Sequence, residues 1–281
     1  RPTGLVLGWQ STVHPFIAHP AYQEIAHLPF AERLKELKDP ARREKILNDT
    51  PREMGPLGHI LTQGFDRMFR LENGGGLEYE PGADDSVAAL AKKTGQQPQA
   101  IVYDMLMEKD GRGYVYLPLL NYALFNFDHI HEMMRHPATV LSLSDGGAHC
   151  GVICDASFPT YMLTHWVRDR SRGERLSLEE VVRMQTHDTA RLYGLNDRGV
   201  LAPGMKADLN VIDFDRLRLL PPHMVYDLPS GARRLMQDAE GFAATAVRGE
   251  VIYRDGKPTG ALPGKLVRGH QPAPVSRAAV E

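Results

Sequence analysis

Up to Gly194 this chain alternates short apolar runs with amphipathic helical stretches, and past Gly199 the helical period disappears. No other feature limits the choice of fold as much. Residues 30–48 have a helical period, with Ala31, Leu34, Leu37 and Ile46 roughly on one face. Helices are also predicted over 84–93, over 98–108 with Pro98 in the first turn, and over 128–135, capped by Asp128 and stopped by Pro137. A further helix covers 158–168, and Ser177 with Glu180 forms a capping box whose helix ends near Gly194. Strands are expected at the apolar start, at 114–119 and at 140–143. Strand and helix in turn are the pattern of an α/β architecture with parallel strands. Beyond Gly199, residues 207–213 alternate like a strand, and 244–253 read as a hairpin followed by a turn at 254–257. The asparagine and glycines at 73–76 form a break, and there are no internal repeats.

Charge and cysteine content narrow the function. Lys and Arg total 33 against 35 Asp and Glu, for a net charge of −2. Neither nucleic acid nor an anionic membrane is an expected partner. No apolar run reaches the ~18–20 residues of a spanning helix, and no signal peptide is legible. Two cysteines, Cys150 and Cys154, are too few for a disulfide framework, which makes a reducing cytoplasm the default. The opening Arg1-Pro-Thr-Gly-Leu-Val-Leu-Gly8 lacks Met and reads as the interior of a longer polypeptide.

The stretch from Thr139 to His149 carries the best candidate chemistry. Val140, Leu141 and Leu143 form a buried run that ends at Asp145, and Gly146 and Gly147 then allow a sharp turn and leave room for a ligand. In a parallel barrel the C-terminal ends of strands are where reacting groups gather, so Asp145 is a candidate base at a pocket mouth. His149, four residues on, is a candidate to face the same pocket. On those residues alone, an Asp-Gly-Gly loop that merely caps a strand is the competing reading.

Other chemistry-bearing residues read as structural. His129 and His131 lie in a predicted helix, where a spacing of two points the rings to nearly opposite faces and makes chelation a poor fit. His136 is expected against the carbonyls at that helix end. Cys150 and Cys154 lack the second pair a zinc site needs and are expected as small buried thiols. His165 and Trp166 are expected in the core or its shell, and Asp188 is placed to pair locally with Arg191. There is neither a phosphate-binding glycine loop nor a Gly-x-Ser-x-Gly elbow.

Three motifs together resemble the amidohydrolase superfamily: Ser144-Asp145-Gly146 at a strand end, the run from Gln185 to Leu195, and DRGVLAPGMKADLNVID from Asp197 to Asp213. Arg135-His-Pro137, the Ser-Asp-Gly segment and the opening eight residues look most like the N-acyl-D-amino-acid deacylases, or D-aminoacylases. The resemblance covers most of the chain and is strongest over 114–260. It implies the C-terminal part of a TIM-like (β/α)8 metal-dependent hydrolase barrel plus a small β-sandwich. The division that follows is a partial catalytic barrel over 1–198, the sandwich over 199–264 and a loose tail over 265–281.

The implied activity is hydrolysis of a C–N amide bond, deacylating N-acyl-D-amino acids, with one or two Zn2+ ions activating water. Asp145 matches the family's general base and acid and is also a candidate metal ligand, with the other ligands expected upstream. Gly146, Gly147 and His149 are the expected substrate-pocket residues. Two departures limit the likeness. The family's upstream His-x-His has no match here, so the 281-residue piece is expected to be inactive alone. The arginine that typical D-aminoacylases carry soon after Ser-Asp-Gly is also missing, since none occurs between Asp145 and Arg168. Cyclic-amide hydrolysis of the hydantoinase or dihydroorotase kind, and a non-catalytic amidohydrolase-like scaffold, stand as alternatives. The expected partner is a small-molecule N-acyl amino acid or related amide, with a homo-oligomer left open.

Overall fold

The computed structural model describes residues 4–142 and 147–274. Helices and strands are mixed along the chain, which divides into two compact units. The first comprises the described residues of 1–127, 145–155 and 221–236, and the second those of 128–144, 156–220 and 237–281. None of the described helices is long and apolar enough to cross a membrane.

The first unit is built on two fully buried strands, Gly4–Leu7 and Val115–Pro118, paired antiparallel with Leu5 opposite Leu117 and Leu7 opposite Val115. Phe69–Arg70 adds a third, antiparallel strand. The two unbroken apolar runs suit strands covered on both faces. The sheet differs from the parallel arrangement the alternation predicts, and every strand pair within the described sheets is antiparallel. Periodicity along a strand marks which residues are extended, but it carries no information about the direction of the partner. Around this sheet pack Trp9, Phe16, Tyr22 and Tyr103, with Leu37 and Ile46 from the helices.

Residues 30–48 form two helices, Phe30–Lys38 and Pro40–Leu47, where one was expected. Asp39 sits between them in an extended conformation, as a residue before proline prefers, and its side chain accepts the Arg42 N–H at 3.1 Å. The face predicted apolar buries Leu37 and Ile46, but Arg33 is buried in place of Ala31. Helix Val87–Thr94 starts at the cap Ser86, later than predicted, because residues 83–85 form a short 3-10 turn.

In the second unit, helix Asp128–Arg135 has the predicted bounds. Ser177 and Glu180 form the predicted capping box, at 3.1 and 3.0 Å. Two stretches wind as π-helix, Met162–Asp169 and Met184–Asp188. The second corrects the expected Asp188–Arg191 pair. With an i→i+5 repeat, Arg183 comes next to Asp188, and their side chains pair at 3.1 Å. A four-stranded antiparallel sheet follows, ordered 257–258, 250–254, 242–247 and 209–212. Its two connections, at Arg248-Gly249 and Asp255-Gly256, have positive φ at both residues, as type I′ hairpin turns require.

Candidate functional site

Asp145 and Gly146, the expected base and the glycine after it, lie outside the described residues. The loop that follows is described, and the first unit holds it at several points. His149, at φ +49°, closes a tight turn whose carbonyl accepts the N–H groups of Val152 at 2.9 Å and Ile153 at 3.0 Å. The Val6 N–H donates to the Val152 carbonyl at 2.8 Å, and the Thr12 N–H to the Gly151 carbonyl at 3.0 Å. A Cβ at Gly151 would run into the Thr12 hydroxyl, so glycine permits this approach. On its other side the loop meets the hairpin of strands His223–Val225 and Arg234–Met236, where the Leu235 N–H donates to the Cys150 carbonyl at 2.6 Å.

Within that loop Gly147 and His149 are exposed. Cys154 is a buried thiol as expected, donating to the Leu235 carbonyl at 3.8 Å, and Cys150 is half-buried. Neither cysteine is in a disulfide.

The same loop stands against a cluster that sequence reading missed. His14 is 1 % exposed, 5.1 Å from the Trp9 ring and 4.5 Å from Tyr22, both edge-on. Its Nδ1 accepts the Phe16 N–H at 3.3 Å, so the neutral ring carries its proton on Nε2. Burial drives its pKa down to about 3, helped by the positive charges of Arg33, His19 and Arg233. Arg33 is itself buried and donates to the carbonyls of Ala26 at 3.0 Å and Trp9 at 3.1 Å. The only early signal for this cluster is His14-Pro15 shortly after an apolar strand, a pattern too common to single out.

In the second unit, a cavity of about 120 Å³ is lined by residues including Arg135, His136, Pro137, Arg183 and Asp188. It holds a few waters or a small ion and falls short of the ~300–1,000 Å³ of ordinary ligand pockets. His136 does not meet the helix-end carbonyls as expected. Its Nδ1 accepts the Ala138 N–H at 3.2 Å, because Pro137 bends the chain back over the ring. His131 packs on Trp166 with ring centroids 6.1 Å apart, and His165 stacks on Tyr161 at 4.6 Å, as expected of core and shell residues. Arg168 is saturated by the carbonyls of Phe214 at 2.5 Å and Leu217 at 2.7 Å, and by Asp169.

The motif from Asp197 to Asp213 is held by its own charges. Asp197 pairs with Arg198 at 2.9 Å and Lys206 at 2.5 Å, and Arg198 reaches Asp208 at 3.3 Å. The Arg198 hydrogen bond above all, with Lys206 assisting, lowers the Asp197 pKa to about 2. Asp208 also accepts the Arg248 N–H at 2.8 Å and so ties the motif to the hairpin. Gly199, at φ +87°, passes so close to the π-helix that a Cβ would meet the Thr186 carbonyl at 3.0 Å. The motif is therefore a structural clasp between the last helix and the four-stranded sheet.

Residues 49–253 match the amidohydrolase family, which is more than half of the chain. The protein belongs to the amidohydrolase family. Among curated relatives, 5-methylthioadenosine/S-adenosylhomocysteine deaminase of Desulfitobacterium hafniense (strain DSM 10664 / DCB-2) is 46% identical over 67 residues, 22% of this chain and 16% of that protein. The enzyme of the same name from Pelotomaculum thermopropionicum is 49% identical over 55 residues, 19% of this chain and 13% of its own length. Dihydroorotase of Methanothermobacter thermautotrophicus is 33% identical over 93 residues, 31% of this chain and 20% of that protein. These matches span a fifth or less of each relative's length. No solved structure matches.

Proposed function

We propose that this amidohydrolase hydrolyses a C–N amide bond and deacylates N-acyl amino acids, those of D configuration first. The observation that carries the reading is the family match over 49–253, which spans both Asp145 and the clasp from Asp197. In this reading the chain is the C-terminal part of a TIM-like barrel with a β-sandwich.

Asp145 takes a proton from the attacking water and returns one to the leaving amine, and Gly146 and Gly147 leave space for the substrate. A positioned carboxylate of this kind contributes ~10²–10⁴-fold to rate. The first unit clamps the loop that follows Asp145 at Val6, Thr12 and Leu235. Zinc is the proposed metal. Among the described residues no three His, Cys, Asp or Glu side chains group to hold one. Two cysteines that form no disulfide accord with a cytoplasmic setting.

Cyclic-amide hydrolysis is the second reading, favoured by the likeness to a dihydroorotase. The test is a panel of N-acyl-D- and N-acyl-L-amino acids, dihydroorotate and hydantoins, given to the protein expressed from its complete reading frame with zinc supplied. Release of free amino acid that Asp145→Asn abolishes supports deacylation. Ring opening of the cyclic amides alone moves the assignment to the second reading. No turnover of any substrate sinks both and leaves a scaffold.

A further inference from the structure

Arg135-His136-Pro137 has no task in the proposed chemistry, yet it lines the cavity of about 120 Å³ in the second unit. Arg183, Met184 and Asp188 line the same cavity from the helical stretch that the capping box starts. Pro137, Leu141 and Met184 make part of its wall apolar, and a lower local dielectric strengthens any attraction between charges there. The side chains of Arg135 and Arg183 are 54% and 59% exposed, so the cavity opens to solvent and an ion reaches it without unfolding.

The polar groups around it have donors to spare and acceptors already taken. Asp188 has both carboxylate oxygens engaged, Oδ2 with Arg183 Nε at 3.1 Å and Oδ1 with His187 Nδ1 at 3.0 Å. Arg183 uses only that Nε, and its two terminal nitrogens make no hydrogen bond among the described residues. Arg135 makes none there either, since its ion pair with Glu180 is long at 3.6 Å. His136 has its Nδ1 filled by the Ala138 N–H, so the neutral ring presents Nε2–H as a donor. The end of helix Asp128–Arg135 does not offset these donors with open carbonyls at Met133 and His136, which accept the N–H groups of His136 and Thr139. The Glu180 carboxyl is held below its usual range by the Ser177 N–H first, and then by the charges of both Arg135 and Arg183. The two guanidiniums therefore converge on one place.

We propose that this cavity binds a free tetrahedral oxyanion of phosphate size, held by the guanidiniums of Arg135 and Arg183 and by the His136 Nε2–H. The paired N–H groups of a guanidinium match two oxygens of such an anion, and charge-assisted bonds of this kind are about twice as strong as neutral ones. The volume admits the oxyanion alone and is below that of pockets for larger metabolites. Chloride offers a single centre and cannot be forked in this way. The bound anion ties the end of helix Asp128–Arg135 to the helix carrying Arg183 and stabilises the folded protein by mass action. This site is separate from the hydrolytic chemistry and does not depend on which C–N bond the enzyme cleaves.

The experiment is thermal unfolding and calorimetric titration of the protein, expressed from its complete reading frame, with sodium phosphate or sodium sulfate against sodium chloride at equal ionic strength. Phosphate and sulfate at about 10 mM are expected to raise the thermal midpoint by at least about 2 °C over chloride, as a dissociation constant of about 1 mM implies. Arg135→Gln and Arg183→Gln should each weaken phosphate by about 10–100-fold and remove its effect on the midpoint. Arg191→Gln, at an exposed arginine of the same unit that does not line the cavity, should keep that effect. Arg183 also pairs with Asp188, so each variant is compared with its own midpoint in chloride, which separates lost binding from lost stability. Arg135→Gln alone decides if Arg183→Gln fails to fold. Glu180→Gln removes the competing carboxylate while its amide oxygen still accepts the Ser177 N–H, and should tighten phosphate. No shift from phosphate or sulfate beyond that of chloride overturns the site. So does a shift that survives in either cavity-arginine variant, which would place the anion elsewhere in the enzyme.

Discussion

Leu235 donates its backbone N–H to the Cys150 carbonyl at 2.6 Å, and its own carbonyl accepts the Cys154 thiol at 3.8 Å. One residue of a late hairpin thus holds both ends of the loop that follows Asp145. Replacing Leu235 by Ala empties a site only 5 % exposed and should destabilise the protein by about 2–5 kcal/mol in urea unfolding. A loss under about 1 kcal/mol would show that the hairpin is not fastened there.

Asp145→Asn keeps the shape of the side chain and removes the base. Hydrolysis by the complete protein should fall about 10²–10⁴-fold, with the unfolding midpoint close to that of the wild type. Retention of more than a tenth of the activity would remove Asp145 from the chemistry.

His14 ties stability to pH. Its pKa is about 3 in the folded protein against 6.5 unexposed to such burial, so above pH 6.5 the ring is neutral in both states and contributes no pH dependence. As pH falls below 6.5 the unfolded chain takes the proton first and stability is lost, down to about pH 3. The slope is at most ~1.4 kcal/mol per pH unit, or about 2 kcal/mol between pH 6.5 and 5. His14→Asn retains an acceptor for the Phe16 N–H and should flatten that limb in urea midpoints taken at pH 7, 6 and 5. An unchanged slope would place the protonation elsewhere.

Ser177→Ala removes one half of the capping box and should cost about 1 kcal/mol, with Glu180→Ala giving a similar loss and the double variant less than the sum. Strict additivity of the two would show that the bonds act independently.

Gly199→Ala forces a side chain to φ +87° and against the Thr186 carbonyl at 3.0 Å. The expected cost is about 1–3 kcal/mol, read as a lowered thermal midpoint. A neutral effect would mean that the clasp moves freely against the π-helix.

Much of the local structure is legible in the chain itself. The capping box at Ser177, the bounds of helix Asp128–Arg135 and the turn at Asp255-Gly256 depend on residues within a few positions of one another, so sequence contains what determines them. The Asp39-Pro40 break was equally local and was masked by a helical period that continued across it. The partner of Asp188 was not legible, because the choice between Arg183 and Arg191 depends on a π-turn that side-chain spacing does not announce.

By itself the sequence pointed to the family, through the run from Asp197 to Asp213, and singled out Asp145 by its place after an apolar run; the strand expected there does not form over 139–142, where Val140 is exposed. Only tertiary structure decided which distant segments meet. His14, Cys150 and Arg233 lie far apart along the chain, yet backbone bonds from Thr12 and Leu235 gather their segments around one loop. Burial then makes His14 neutral and leaves Arg33 without a carboxylate partner among the described residues. Solvation of a charged group is a property of its three-dimensional surroundings, and no spacing along the chain encodes it.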